Sequence, residues 1–216
     1  MVKNIDTLLF DLDGTLIDSR EDLANAVNFA LSEVGQPPQV HADIIPHVGN
    51  GLRVLLSEVL GPVPTEVLDA SIRSFSLYYD EHCLDKTVLY QNVKPVLFEL
   101  AQSCKMAVVT NKPERFSRKI IGKLGLSELF GVVIGGDTLA ERKPHPRPVM
   151  KALTDLNRSA ESSLFIGDGI QDIQAAQAAG VRSCVVKYGY GFQSSFLSMA
   201  PDFQIDGFSE LKEIVS

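Results

Sequence analysis

The sequence predicts an α/β protein: a doubly wound parallel sheet that carries an inserted all-α unit. Short, continuously apolar runs recur along the chain, the pattern of parallel strands buried on both faces. Segments with helical spacing lie between them, which gives the βαβ alternation of a doubly wound, Rossmann-like sheet. One long stretch, residues 16–87, has helical patterning and no strand run.

The runs at residues 7–10, 106–109, 132–134, 164–166 and 184–186 are predicted strands, and a weaker run at 203–205 makes a sixth. Between them, Pro113 suits the first position of a helix. Phe116, Ile120, Ile121 and Leu124 follow at helical spacing, and Gly125 ends it. An Ala-rich helix from Ile170 stops at Gly180 in the same way. In the insert, Ser19 with Asp22 resembles a capping box. Leu23, Ala26, Val27, Ala30, Leu31 and Val34 then form an apolar stripe, closed by Gly35 and Pro37. Further helix is predicted over 52–60 and 65–82. The core is therefore assigned to residues 1–15 and 88–216, and the helical insert to 16–87.

Composition narrows the function classes. A chain of 216 residues buries roughly 70% of its unfolded surface, so it needs no disulfide or metal staple. The formal charge of −7, with no Lys/Arg-rich run, argues against nucleic acid and anionic membrane as partners. Cys83, Cys104 and Cys184 are odd in number and far apart. They predict buried thiols in a reducing, cytoplasmic setting rather than a disulfide framework or zinc site. No signal-like apolar stretch occupies residues 1–11, and no run of about 18 apolar residues suits a membrane span.

Open α/β sheets bind ligands at the carboxyl ends of their strands. Here those ends carry Asp11 and Asp13, then Thr110 and Asn111, then Asp168 and Asp172. Lys143 lies in a proline-bounded segment, Arg142-Lys143-Pro144-His145-Pro146, too stiff for a helix interior. Asp11 and Asp13 are two apart, so on extended backbone their side chains point the same way. Carboxylates gathered in one cleft repel. A hard divalent cation relieves this, and oxygen ligands favour Mg²⁺. Lys143 adds positive charge, the Thr110 hydroxyl can donate to a phosphate oxygen, and the turn over 12–14 offers backbone N–H groups, with Gly14 permitting its tightness. Such a set reads as a phosphoryl-transfer site. Simpler roles stand beside these: Asp172 suits a helix start, Thr110-Asn111 suits an N-cap, and Asp137 reads as a structural turn. His41, His82 and His145 show no metal-ligand spacing.

Asp11-Leu12-Asp13-Gly14-Thr15-Leu16, Val109-Thr110-Asn111, Lys143-Pro144 and Gly167-Asp168-Gly169-Ile170-Gln171-Asp172 resemble, in order, the four motifs of the haloacid dehalogenase superfamily. The insert resembles that family's helical cap. The resemblance implies a phosphatase. In it Asp11 is the nucleophile that forms an aspartyl-phosphate, and Asp13 is the general acid and then base. Thr110 and Lys143 hold the phosphoryl oxygens. Asp11, Asp168 and the Asp13 backbone carbonyl ligate Mg²⁺, with Asp172 nearby. Gly169 departs from the Ser or Thr that many such phosphatases carry. Asp18-Ser19, the cap segment His47-Val48-Gly49-Asn50-Gly51-Leu52-Arg53 and Gly135-Gly136-Asp137 resemble the phosphoglycolate phosphatases, in which Arg53 either pairs with a substrate carboxylate or faces solvent. The implied partner is a small phosphorylated metabolite, and the implied state a monomer or homodimer. Phosphomutase, pyrophosphatase, nucleotidase, sugar-phosphate phosphatase and a silent binding module are the rival readings.

Overall fold

The computed structural model describes residues 5–215. Residues 1–4 and 216, the two ends of the predicted core, lie outside them. The chain divides into one unit that runs up to Asp18 and resumes at Leu89, and a second, Ser19–Val88.

In chain order the strands are β1 (Thr7–Phe10), β2 (Ile17–Asp18), β3 (Val88–Leu89), β4 (Lys105–Val109), β5 (Val132–Ile134), β6 (Ser163–Gly167), β7 (Arg182–Val186) and β8 (Phe203–Ile205). The helices are α1 (Arg20–Glu33), α2 (His41–Ile44), α3 (Leu52–Leu60), α4 (Thr65–His82), α5 (Val93–Leu100), α6 (Glu114–Lys123), α7 (Arg147–Leu156), α8 (Ile170–Ala178) and α9 (Leu211–Val215).

Six strands form one sheet in the order β5-β4-β1-β6-β7-β8, with every neighbouring pair parallel. The predicted α/β class and all six of its strands are present. From β1 the chain builds outward through β4 and β5, then returns to β6 on the other side. The winding therefore reverses between β1 and β6, where open sheets of this kind leave a crevice at their carboxyl ends. Register levels those ends: Phe10 stands opposite Val108 on one side and Ile166 on the other.

The apolar runs explain the burial. Leu8, Leu9 and Phe10 are fully buried, as a central strand covered on both faces requires. On one face Leu9, Ala107, Val109, Ile134 and Phe165 pack with Val149, Ala152 and Leu153 of α7 and with Ala175 and Ala176 of α8. Phe10 meets the rings of Phe130 and Phe208 at centroid distances of 6.2 and 6.0 Å. Gly125 and Gly180 take left-handed backbone just beyond α6 and α8, the helix ends expected for them. The three cysteines are buried free thiols, and burial pushes the Cys184 thiol up to about 12.

The second unit is helical. Its α1 packs along α4, where the rings of Phe29 and Tyr78 stack at 4.7 Å, and α3 also packs on α4. No helix among the described residues is long and apolar enough to cross a membrane.

Three local expectations need correction. Ser19 occupies the N-cap position of α1 but caps nothing with its side chain. Asp22, the other half of the expected box, turns to the far end of the insert instead. Its carboxylate accepts from the N–H groups of Lys86 and Thr87 and from the Thr87 hydroxyl, at 2.7 to 3.1 Å. Aspartate is one methylene shorter than the Glu or Gln that closes a true box, and three donors elsewhere outcompete one local N–H. Pro113 is the N-cap of α6 rather than its first residue. A two-residue strand, β2, also opens the segment read as strand-free, pairing with β3.

Truncating Asp22 strands those donors. Asp22→Ala is expected to destabilise the protein by about 3 kcal/mol and Asp22→Asn by about half as much. Urea denaturation followed by circular dichroism measures both; two near-neutral substitutions would contradict the role given to this carboxylate.

Candidate active site

The carboxyl ends of β1, β4 and β6 converge on one lysine. Asp11 follows β1 directly, and its N–H donates to the Ile166 carbonyl of β6 at 2.9 Å. Lys143 enters from the segment before α7, across a cis Lys143–Pro144 bond. Asn111 fixes that segment from both sides: its Nδ2 donates to the Lys143 carbonyl at 2.9 Å, and its Oδ1 accepts the Lys143 N–H at 3.0 Å. The Lys143 ammonium then lies 2.9 Å from Asp11 Oδ1 and 2.6 Å from Asp172 Oδ1. Asp172, in the first turn of α8, also accepts the Gly169 N–H at 2.9 Å. It therefore serves as both cap and ion-pair partner. Asp168 completes the cluster: Asp11, Asp168 and Asp172 each place one carboxylate oxygen within 4.8 Å of the others, and all three are buried.

The charges do not balance. Three carboxylates face one ammonium, which leaves two negative charges when all are ionised. Burial works against the Lys143 charge, yet Asp11 and Asp172 more than offset it and raise its pKa. Burial, then Asp11 and Asp172, push Asp168 well above the usual carboxylate range. Burial raises Asp172 too, against the pull of Lys143. Asp11 Oδ1, despite its ionic contact, makes no hydrogen bond. An all-oxygen set that crowds three buried carboxylates around one ammonium fits a hard divalent cation.

The space around Asp168 is shaped by glycines. At Gly14 the backbone has φ +81°, and a Cβ there would stand 2.0 Å from Asp168 Oδ2. Added Cβ atoms at Gly189 and Gly191 would also meet Asp168, at 2.2 and 2.9 Å. Gly191 instead brings its N–H to Asp168 Oδ2 at 2.7 Å, and the Tyr188 hydroxyl donates to the Thr15 carbonyl at 2.7 Å. The segment Tyr188-Gly189-Tyr190-Gly191 thus holds Asp168, a role for Gly191 that sequence reasoning missed. Its only outward signal is the pair of glycines after β7.

Other expected residues fall as follows. Thr110 is buried at the end of β4, and its Oγ1 accepts the Lys112 N–H at 3.2 Å. Gly14 differs from the expectation of an anion-binding donor: its N–H closes the turn on the Ile17 carbonyl at 2.9 Å, so what glycine supplies is room. The Asp13 side chain stands outside the three-carboxylate cluster and pairs with Lys112, a residue the sequence reading passed over. Asp137 is structural, accepting the Glu114 N–H at 2.7 Å at the start of α6. Arg53 belongs to the helical unit, where its guanidinium pairs with Asp69 at 2.5 Å.

Comparison with known proteins gives the family. The family model for haloacid dehalogenase-like hydrolases matches residues 8–186. A phosphoglycolate phosphatase of Colwellia psychrerythraea is 40% identical over 215 residues, 95% of each chain. One from Vibrio cholerae is 38% identical over 222 residues, 99% of this chain and 98% of its own. Among solved structures, a predicted phosphoglycolate phosphatase from Haemophilus somnus 129pt matches with a TM-score of 0.92 at 32% identity, over all of both chains. The chain belongs to the haloacid dehalogenase-like hydrolase family. Within that family it is a phosphatase.

The raised carboxylates set a pH dependence. Without a cation, Asp168 and Asp172 bind protons in the folded state above their ordinary value of 3.8, so folding stability falls as pH rises past that value. A divalent cation opposes this and prefers deprotonated ligands. Scanning calorimetry should therefore show Mg²⁺ raising the unfolding temperature, relative to EDTA, more at about pH 7.5 than at about pH 5. Asp168→Asn should stabilise the EDTA-treated protein by about 1 kcal/mol at the higher pH, by removing one of the crowded charges, and abolish the Mg²⁺ increment. A Mg²⁺ effect unchanged by pH and by the substitution would contradict the cation site.

Proposed function

We propose that this phosphatase hydrolyses a small phosphate monoester, 2-phosphoglycolate, through an aspartyl-phosphate and with Mg²⁺. The observation that carries the reading is the buried Lys143–Asp11 pair, with Asp168 and Asp172 beside it, at the reversal of the sheet. The names of the relatives support the substrate. We assign the choice of substrate to the helical unit.

In the first half-reaction one Asp11 carboxylate oxygen attacks phosphorus, with Lys143 beside it. The new P–O bond forms as the ester P–O bond breaks, and Asp13 gives its proton to the departing alkoxide. In the second, water attacks the phosphoryl group, Asp13 takes back a proton, and Asp11 is freed as phosphate leaves. Lys143 and the Thr110 hydroxyl, which already accepts from the Lys112 N–H and keeps its own proton to donate, hold the phosphoryl oxygens. Asn111 keeps Lys143 in place through its backbone. Asp11, Asp168 and the Asp13 carbonyl, with Asp172 nearby, would hold the Mg²⁺, which supplies positive charge against the phosphoryl oxygens when bound.

Phosphate release should be fastest, by kcat/KM, from 2-phosphoglycolate among a panel that includes glucose 6-phosphate, nucleoside monophosphates and pyrophosphate, and it should vanish in EDTA. Asp11→Asn should lower kcat on 2-phosphoglycolate and on p-nitrophenyl phosphate by about 10³-fold or more. Wild-type rates in the variant would remove Asp11 as nucleophile; preference for another ester would remove only the substrate assignment.

A further inference from the structure

A second buried lysine serves the other aspartate. Lys112 Nζ lies 2.9 and 3.0 Å from the two carboxylate oxygens of Asp13, and its side chain is only 3% exposed. Long cationic side chains ordinarily keep their heads in water, and burying one costs several kcal/mol unless a partner meets it. The backbone that carries Lys112 is fixed at three points. Its N–H donates to Thr110 Oγ1, its carbonyl accepts the Gly136 N–H at 2.9 Å, and Gly136 packs so close to Asn111 that a Cβ there would stand 2.2 Å from the Asn111 carbonyl oxygen. A short, fastened stretch at the end of β4 thus aims one ammonium at one carboxylate. Lys143 meets Asp11 and Asp172, and Lys112 meets Asp13.

We propose that Lys112 is the positioning residue for Asp13 and holds its carboxylate where the proton must pass. The proposal rests on the reading of Asp13 as general acid and base. A carboxylate free to turn about its side-chain torsions presents the proton in the right place only part of the time. A contact to both oxygens removes that freedom, and a misplacement of about 1 Å at a reacting group is enough to cost about 10²-fold in rate. The proton account is unchanged: Asp13 gives one proton to the ester oxygen as that bond breaks and recovers one from water as the new bond forms. Lys112 keeps its own protons throughout and acts through Asp13.

The test is the dependence on leaving group in single turnovers, with Mg²⁺ present and enzyme in excess over substrate, so that release of the alcohol reports the first half-reaction alone. Ethyl phosphate leaves as a poor alkoxide that needs the proton; 2,4-dinitrophenyl phosphate leaves without it. Lys112→Met should slow ethanol release by about 30- to 100-fold and dinitrophenolate release by less than about 3-fold, with little change in half-saturation for either substrate. Asp13→Asn should show the same split, more deeply. Lys112→Arg, whose fork also reaches both oxygens, should restore much of the ethanol rate. Lys112→Gln carries the comparison should the Met variant unfold in a thermal scan. Equal slowing of both esters, or weakened substrate saturation alone, would overturn the proposal and leave Asp13 as acid if its own split persists. Absence of the split in Asp13→Asn would overturn the Asp13 reading, and the Lys112 proposal with it.

Discussion

One buried ammonium organises this site. Lys143 is held by its backbone to Asn111 and by its charge to Asp11 and Asp172. Those partners come from β4, β1 and the first turn of α8, so a single cation links three separate stretches of the core unit. Any one of these carboxylates, buried alone, would bind a proton instead. Lys143 offsets part of that cost for its two partners, and the crowding of three carboxylates around one ammonium is what makes the pocket fit for a divalent ion.

The sheet makes that convergence available. Its winding reverses between β1 and β6, and register brings Phe10, Val108 and Ile166 level. The first residues beyond those strands therefore emerge side by side. What the sheet does not provide is room, and glycine does. Asp168 sits where side chains at 14, 189 and 191 would collide with it, so three positions in two separate parts of the chain give up a Cβ to surround one carboxylate. Close packing leaves no slack for any of them to regain it.

The legible parts of the sequence were those whose cause is local. A strand buried on both faces must be apolar throughout, so β1, β4 and β6 announce themselves, and a polar residue that ends such a run marks the sheet's carboxyl edge. Asp11, Thr110 and Asp168 were readable for that reason. The illegible parts depend on partners far along the chain. Asp22 looked like a helix cap because its neighbours resemble one, and nothing local shows that its donors lie 64 and 65 residues away. Lys112 follows two motif residues and resembles any surface lysine until the fold brings Asp13, 99 residues distant, to its head. Gly191 acts through a backbone N–H, a group every residue but proline owns, so its identity says only that a side chain would not fit. Strands β2 and β3 have two residues each, too few to display a period.

Two aspartates separated by one residue are proposed to do opposite work, one attacking phosphorus and one moving a proton. Alternation alone would give them similar surroundings, but the backbone does not stay extended between them: β1 ends at Phe10 and the chain bends at Leu12. The fold separates them by the cation each one meets. Asp11 shares a deeply buried ammonium with Asp172, in a cluster suited to a second, divalent charge. Asp13 has Lys112 across both oxygens. A cation that meets both oxygens of a carboxylate limits how that carboxylate can turn. The difference in role then follows from the end of β4 delivering Lys112 and the segment before α7 delivering Lys143. A substitution that moved either lysine would alter the division between the two aspartates without touching them.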